Sequence, residues 1–180
     1  YNPDLVTANY IVPGLIGVIL AMTMMMITAM AIVKERETGT LEQLITTPVQ
    51  SWELMIGKII PYMAVGYAQT TIALLVGMYL FRVPVRGSLF LLYGLALIYI
   101  GCYLGMALLI STLARTQQQA LQMSFFVFLP TILLSGFMFP RAGMPLIVQY
   151  LTLLLPLTYF LEILRGIVLK GVGLEARGPE

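Results

Sequence analysis

Long apolar stretches separated by short charged segments are the dominant pattern of this 180-residue chain. No charged residue lies within residues 5–33, 59–81 or 87–114. Each stretch meets or exceeds the roughly 20 apolar residues that cross the hydrocarbon core of a bilayer as a helix. The pattern therefore predicts an all-α fold, a polytopic transmembrane helical bundle with about four spans. The predicted spans are residues 11–33, 59–81, 88–113 and 120–135.

The polar segment between the first two predicted spans, residues 35–54, contains the pattern of a short amphipathic helix. Thr40 is a suitable N-cap for this helix, with Gln43 at the capping-box position three residues later. Leu41 and Leu44 then lie on one apolar face. We expect this helix to lie along the membrane surface.

The last apolar third of the chain is interrupted by glycine and proline at Gly136, Pro140, Pro145 and Pro156. A proline within a span removes a backbone hydrogen bond that lipid cannot replace. Two interpretations compete. One is a fifth full span at about residues 146–164, and the other is a pair of short helices that enter the membrane and return to the same side. Periodicity does not choose between them.

Composition agrees with a lipid environment and excludes several classes of function. The chain is 59% hydrophobic and 10% charged, with a mean hydropathy of +0.93, whereas an average soluble domain carries roughly a quarter charged residues. A single cysteine, Cys102, and no histidine leave no metal-ligand pattern. The net charge of +2 does not indicate a nucleic-acid partner. Gly57-Lys58 lacks the rest of a phosphate loop, so we expect no catalytic residues, cofactor, metal or ATP site in this chain.

The charged cluster that ends the first span has two interpretations. It is either a solvated stop-transfer cluster or a docking platform, because a surface helix with acidic residues in its first turn is suited to a partner's basic groove. In the second interpretation Glu42 and Glu53 are the candidate contacts. The residues Glu35, Arg36 and Glu37 would form charge pairs that fix the helix against neighbouring spans.

Several residues within the apolar stretches also have more than one interpretation. The methionines of the first span indicate packing, lipid contact or an adaptable wall for hydrophobic substrates; they are Met22, Met24, Met25, Met26 and Met30. Gly101 and Gly105 form a pattern that permits close helix contact. The polar residues at 69–71 either satisfy one another and nearby backbone or line a translocation path. Glu162 and Arg165 lie three apart and can pair.

The distribution of basic residues favours one orientation only slightly. The loops at 34–58 and 113–119 share four Lys or Arg residues, whereas the loops at 82–87 and 136–145 share three. The positive-inside rule therefore favours the first two loops as cytoplasmic by one residue.

Three strings of the sequence carry a family resemblance. Residues 34–44, Lys34-Glu35-Arg36-Glu37-Thr38-Gly39-Thr40-Leu41-Glu42-Gln43-Leu44, followed by Gly57-Lys58, resemble the cytoplasmic coupling segment of type-2 ABC exporter permeases. Residues 134–140 and 156–166 resemble the segment before the last span of that family. Residues 9–14 resemble the start of its second span.

This resemblance implies a permease of six spans that dimerises and works with a separate ATPase subunit. It places the coupling segment, from Glu35 to Leu44, against the ATPase inside the cell. It also favours the second interpretation of residues 136–166, as a re-entrant hairpin on the outer side that includes Glu162 and Arg165. The family's first span and external domain would precede residue 1 and its last span would follow residue 173, so we expect a fragment.

The expected function is the membrane-spanning permease subunit of an ATP-driven ABC exporter, which moves a hydrophobic or amphipathic substrate across a bacterial plasma membrane. The expected partners are an ATPase subunit, a second permease subunit in a homodimer or heterodimer, and the lipid bilayer. One alternative is a membrane scaffold that assembles a partner without transport. A secondary transporter is disfavoured, because no predicted span carries an ionisable residue near its centre.

Overall fold

A computed structural model describes residues 3–46, 48–80, 87–138 and 143–167 of the chain. The described residues form seven helices and no strand. The helices are α1 (Pro3–Glu37), α2 (Thr40–Ile45), α3 (Ser51–Tyr79), α4 (Leu89–Leu113), α5 (Gln117–Leu134), α6 (Leu146–Thr152) and α7 (Pro156–Arg165). The predicted all-α polytopic membrane bundle is confirmed.

Three of the described helices are long and apolar enough to cross a membrane, namely the parts Ile11–Glu37 of α1, Trp52–Tyr79 of α3 and Leu89–Leu113 of α4. The pair formed by α6 and α7 reaches the same apolar length but is bent by 81° at its break. The helix α5 has 18 residues, or about 27 Å, and begins with three glutamines. Because helix length does not locate the bilayer, the span boundaries stay predictions.

The helix α1 lies at the centre of the bundle and contacts α3, α4, α5 and α7. Of its span-length segment, 61% is buried, compared with 44% for α4 and 17% for α3. Between Ile11 and Val33, α1 has no polar stripe, because its buried face packs on other helices and its exposed apolar face, which includes Ile19 and Ile27, is suited to lipid. The helices α1 and α4 end at one end of the bundle, where α3 and α5 begin, and we call this the charged end.

Two glycines, one on α1 and one on α3, permit close contacts with other parts of the bundle. A Cβ atom added at Gly14 of α1 would lie 2.4 Å from the ring of Phe137, which follows α5. A Cβ atom at Gly66 of α3 would lie 2.8 Å from Ile100 of α4. Lipid tails are as apolar as leucine, so helices in a membrane are held by close van der Waals packing and hydrogen bonds. These two glycines make such packing possible.

The predicted close contact at Gly101 and Gly105 is not formed between the described residues. A Cβ atom added at either glycine meets no atom within 4 Å, and both residues are exposed on α4. The face of α4 that packs inward instead carries Tyr99, whose hydroxyl donates a 2.7 Å hydrogen bond to the carbonyl of Gly17 on α1. The ring of Tyr99 stacks on Phe160 of α7, with centroids 4.0 Å apart.

Two alanine substitutions test this packing. We expect Gly14→Ala to lower the free energy of unfolding by about 1–3 kcal/mol, because the added methyl group must displace the Phe137 ring. We expect Gly101→Ala to be neutral or to stabilise by up to about 1 kcal/mol, because its methyl group enters open space and alanine favours a helix. Thermal unfolding in detergent compares the two, and equal effects would contradict this account.

Candidate functional site

Three successive charged residues in the last turn of α1 contact three different helices at the charged end. Glu35 forms an ion pair with Lys58 in the second turn of α3. Arg36 donates from Nη1 to the carbonyl of Ala114, the residue that ends α4, at 3.4 Å. Glu37 accepts hydrogen bonds from Gln117, the first residue of α5. The last turn of α1 therefore joins the ends of α3, α4 and α5.

The signs of these charges match the helix ends that they contact. The C-terminal end of a helix carries partial negative charge and the N-terminal end partial positive charge. Arg36 is therefore favourably placed beside the end of α4, and Glu37 beside the start of α5. The backbone N–H of Gln117 lies 3.2 Å from Oε1 of Glu37, and the side-chain amide of Gln117 lies 2.7 Å from Oε2.

A tight turn carries the chain from α1 into α2. Gly39 has φ +72°, a left-handed conformation that glycine adopts without strain at the end of a helix. The hydroxyl of Thr38 contacts the carbonyl of Lys34 at 2.9 Å and the hydroxyl of Thr40 at 2.7 Å. Thr40, which we predicted as the N-cap, is instead the first residue of α2, and its hydroxyl contacts that of Thr38. The turn fixes where α2 leaves the bundle.

The charged residues of the predicted coupling segment fall into three groups: those that contact other helices, one that caps α3 and one that is exposed. Glu35, Arg36 and Glu37 have partners within the chain, as described above. The carboxylate of Glu53 accepts a 3.2 Å hydrogen bond from the backbone N–H of Gln50, which caps the start of α3. Glu42 is exposed, as is its neighbour Gln43.

Two further residues that we predicted to contact the ATPase are apolar residues of α2. The backbone of Leu41 and Leu44 lies in α2, but their side chains lie outside the described part of the structure. Of the coupling residues with described side chains, Glu42 is the carboxylate that is exposed on α2 itself.

The polar residues near the middle of α3 have partners in the bundle. Gln69 donates to the hydroxyl of Thr23 on α1 at 2.6 Å. Thr70 donates to the carbonyl of Gly66 at 2.8 Å, and Thr71 contacts the hydroxyl of Tyr93 on α4 at 2.7 Å. The backbone bond of Thr70 agrees with the first interpretation of residues 69–71, in which they satisfy one another and nearby backbone, whereas Gln69 and Thr71 bond to side chains of α1 and α4 instead of to each other.

The methionines of α1 differ in how far they are buried. Met24, Met25 and Met26 are buried in the core, and Met30 packs against it. Met22 is 41% exposed. The buried three support the packing interpretation, because an unbranched thioether side chain fills irregular gaps between helices.

The segment after α5 makes a sharp change of direction. Gly136 has φ +80° and lies directly after the end of α5. Pro145 precedes α6, and Pro156 occupies the first turn of α7, where a missing N–H removes no helical hydrogen bond. The predicted hairpin residue Pro140 lies outside the described residues, as does the run 139–142.

The remaining predicted hairpin residues lie on α7. Glu162 is exposed and Arg165 is half-buried. The guanidinium of Arg165 lies near Gly14 of α1, since a Cβ atom added there would be 3.3 Å from Nη2. Ile167, just beyond α7, lies directly against Gly87, which precedes α4.

An apolar groove of about 320 Å³ lies between α4 and the α6–α7 pair. Its walls include Ile98 and Cys102 from α4 and Leu154, Tyr159 and Ile163 from the bent pair. Such a groove offers contact to apolar molecules and no acid or base. Within the described residues, no group of three or more His, Cys, Asp or Glu side chains is placed to hold a metal ion.

Sequence reasoning missed three of the residues that organise these contacts. Gln117 lies in the polar loop 113–119, and a glutamine at a helix start does not reveal which carboxylate on another helix its amide will meet. Tyr99 and Gly17 carried no signal, because one helix does not reveal which carbonyl on another helix its hydroxyl will meet.

Comparison with known proteins gives a consistent result. The chain matches the family of ABC-2 type transporters over residues 2–169. It is 40% identical over 175 residues to the probable multidrug ABC transporter permease YbhR of Escherichia coli K12, covering 97% of this chain and 48% of that protein. It is 35% identical over 172 residues to the probable multidrug ABC transporter permease YbhS of the same organism, covering 95% and 46%.

A eukaryotic protein is also similar. ABC transporter G family member 20 of Dictyostelium discoideum is 31% identical over 176 residues, which cover 97% of this chain and 24% of that protein. The chain spans about half the length of the bacterial relatives that it matches. No solved structure matches it.

A double-mutant cycle tests the ion pair at the charged end. We expect Glu35→Ala and Lys58→Ala each to lower the free energy of unfolding by about 0.5–1 kcal/mol, because the pair is only partly shielded from solvent. The double variant should lose less than the sum of the two. Lys34→Ala, an exposed neighbour, is the matched control and should change stability by less than about 0.5 kcal/mol. Strict additivity in thermal unfolding would show that the pair contributes nothing.

Proposed function

The chain belongs to the ABC-2 type transporter family, and from this membership we propose that it forms the membrane-spanning permease part of an ATP-driven exporter. Its helices supply the path across the bilayer. An ATPase, which we propose to be a separate subunit, supplies the energy.

The arrangement at the charged end carries this proposal. The short helix α2 projects from the last turn of α1, which contacts three other helices. A force applied to α2 is therefore delivered to the whole bundle rather than to one loop. Because α2 is attached to several helices in this way, it is suited to be the surface through which an ATPase moves the permease.

We assign different tasks to the residues of the coupling segment. Glu42 is the principal ATPase contact, because its carboxylate is exposed on α2 and is suited to a basic groove. Glu53 is a secondary contact, because its carboxylate already caps α3. Glu35, Arg36 and Glu37 hold the segment against the bundle.

The exported substrate in this proposal is hydrophobic or amphipathic. The apolar groove beside α4 and α7 and the absence of charge from the centre of the described spans support this substrate class. Two similar proteins of E. coli, YbhR and YbhS, are described as probable multidrug ABC transporter permeases. We also propose that a second permease subunit, identical or related, completes the path.

The bent pair α6–α7 is, in this proposal, a re-entrant hairpin on the outer side. Its two ends lie at the same end of the bundle, since Phe137 lies against Gly14 near the start of α1, and Ile167 lies against Gly87 before α4. A single span would place these two residues at opposite ends. The charged end is then cytoplasmic, and the membrane is the inner membrane of a bacterium.

A second candidate function is that of a scaffold that binds the ATPase without transport. A secondary transporter is less well supported, because the described parts of residues 11–33, 59–80, 89–113 and 120–134 carry no ionisable Asp, Glu, Lys, Arg or His near their centres. The scaffold and the exporter differ in whether ATP hydrolysis responds to the permease.

Charge reversal on α2 tests the exporter. We expect the full-length permease to co-purify with its ATPase and to stimulate ATP hydrolysis, and we expect Glu42→Lys to weaken both by at least about tenfold, because a lysine repels the basic groove. The measurements are co-purification from detergent-solubilised membranes and the ATP hydrolysis rate.

The matched control is Gln118→Lys, which adds a positive charge at an exposed position of the same end of the bundle. This variant should behave like the wild type. Co-purification without any stimulation would favour the scaffold. Equal behaviour of Glu42→Lys and the wild type would refute the role of Glu42 in docking.

Cysteine labelling tests the hairpin. In a Cys102→Ser background, Met138→Cys and Gly166→Cys should both react with a membrane-impermeant maleimide added from outside the cell. Gln118→Cys should react only after the membrane is opened, because the charged end faces inward. Protection of Gly166→Cys from outside reagent, with labelling of Met138→Cys, would replace the hairpin with a full span.

A further inference from the structure

We propose that Glu37 is a positioning residue that ties the coupling segment to α5, so that α1 and α5 move as one unit between the charged end and the hairpin. This inference rests on the proposed function, because it concerns how a movement of α2 is passed on. The contact between the Glu37 carboxylate and the start of α5 then transmits movement from one helix to the other.

The contact of Glu37 differs in kind from the other two contacts of the last turn of α1. Both carboxylate oxygens are used, at 3.2 Å from the backbone N–H and 2.7 Å from the side-chain amide of Gln117. Two bonds from one planar group fix an orientation, whereas the single 3.4 Å bond of Arg36 to Ala114 fixes only a distance.

The start of α5 needs this carboxylate. The first backbone N–H groups of a helix have no partner within the helix. The hydroxyl of Thr116 accepts from the N–H of Gln119 at 3.2 Å, which satisfies one of them. Glu37 accepts from the N–H of Gln117. The first turn of α5 is therefore capped in part by its own sequence and in part by α1.

The two helices also contact each other along their lengths. The face of α5 that is buried carries small and apolar residues, namely Ala120, Ser124, Phe128 and Thr131. Small residues let helix backbones approach closely. At the far end, the Phe137 ring lies against Gly14 of α1.

These contacts hold α5 against α1 at three places: at the start of α5, along the buried face of α5 and just beyond the end of α5. Gly136, at φ +80°, then redirects the chain toward α6. A tilt of the last turn of α1, imposed through α2, must therefore displace the start of α5 and the segment that leads into the hairpin. Without the Glu37 contact, the last turn of α1 can move while α5 stays in place.

Three variants of the full-length permease, bound to its ATPase, test the inference. Glu37→Gln removes the charge from the carboxylate. Gln117→Glu places two carboxylates against each other. The double variant Glu37→Gln with Gln117→Glu exchanges the partners and restores an amide–carboxylate pair. The matched control is Gln118→Glu, which makes the same charge change at the exposed neighbouring position.

The first readout is hydrogen exchange of the peptide that contains the first turn of α5. It should accelerate at least about threefold in each single variant and return toward the wild-type rate in the double variant. The second readout is a distance between spin labels on Met138→Cys of the two permease subunits, or on Met138→Cys and the ATPase, in a Cys102→Ser background. ATP should change this distance in the wild type and in the double variant, and change it by less than half as much in each single variant.

Gln118→Glu should leave co-purification with the ATPase unchanged, because Glu42 is untouched, and the distances in all variants are compared at equal occupancy by the ATPase. A purely structural role of Glu37 would alter hydrogen exchange but leave the ATP-dependent distance change intact, and that result would overturn the inference. Failure of the double variant to recover either readout would overturn it as well. Failure of the wild type to bind its ATPase would instead refute the proposed function, and the inference with it.

Discussion

Charged groups that end an apolar helix need water, a partner of opposite charge or a helix end of opposite partial charge, and the last turn of α1 meets this need with three successive residues. Glu35, Arg36 and Glu37 each reach a different helix, and each meets a group of opposite charge or partial charge. Successive residues of a helix point about 100° apart, so one turn can address three neighbours only if it lies between them. The central position of α1 follows from this.

The rest of the bundle is held by close approach rather than by exclusion of water. Apolar side chains have no preference for each other over lipid tails, so contacts that bring backbones together have the larger effect. Gly14 and Gly66 let the Phe137 ring and the Ile100 side chain pack directly against the backbones of α1 and α3, and Tyr99 adds a hydrogen bond to a backbone carbonyl of α1. A larger share of α1 than of α3 is buried in the described bundle.

The two ends of the bundle are suited to different tasks. At the charged end, α2 presents the exposed carboxylate of Glu42 on a segment that is firmly attached to the bundle. At the opposite end, the bent pair α6–α7 packs on α1 and α4 through Phe160 and Tyr99. In the proposed exporter, ATP-driven movement begins at the first end and alters the second, with α1 and α5 between them.

The pattern of charges and apolar residues by itself determined the polytopic membrane character and the helical class, and particular strings such as residues 34–44 carried the likeness to one transporter family; the coupling segment around Glu42 stays a prediction. These properties depend on composition and on spacing along one chain, which a sequence states directly. The sequence also predicted that Glu35 and its neighbours form charge pairs that fix the short surface helix against neighbouring spans, but it did not name the partners.

Only the tertiary structure decided which residues meet. It placed Gln117 against Glu37, used Glu53 to cap α3, and put the close helix contact at Gly14 rather than at Gly101. Helical periodicity tells which side chains share a face, but the neighbour that a face meets depends on how every helix is rotated and shifted in the bundle. That choice belongs to the packing of the whole chain.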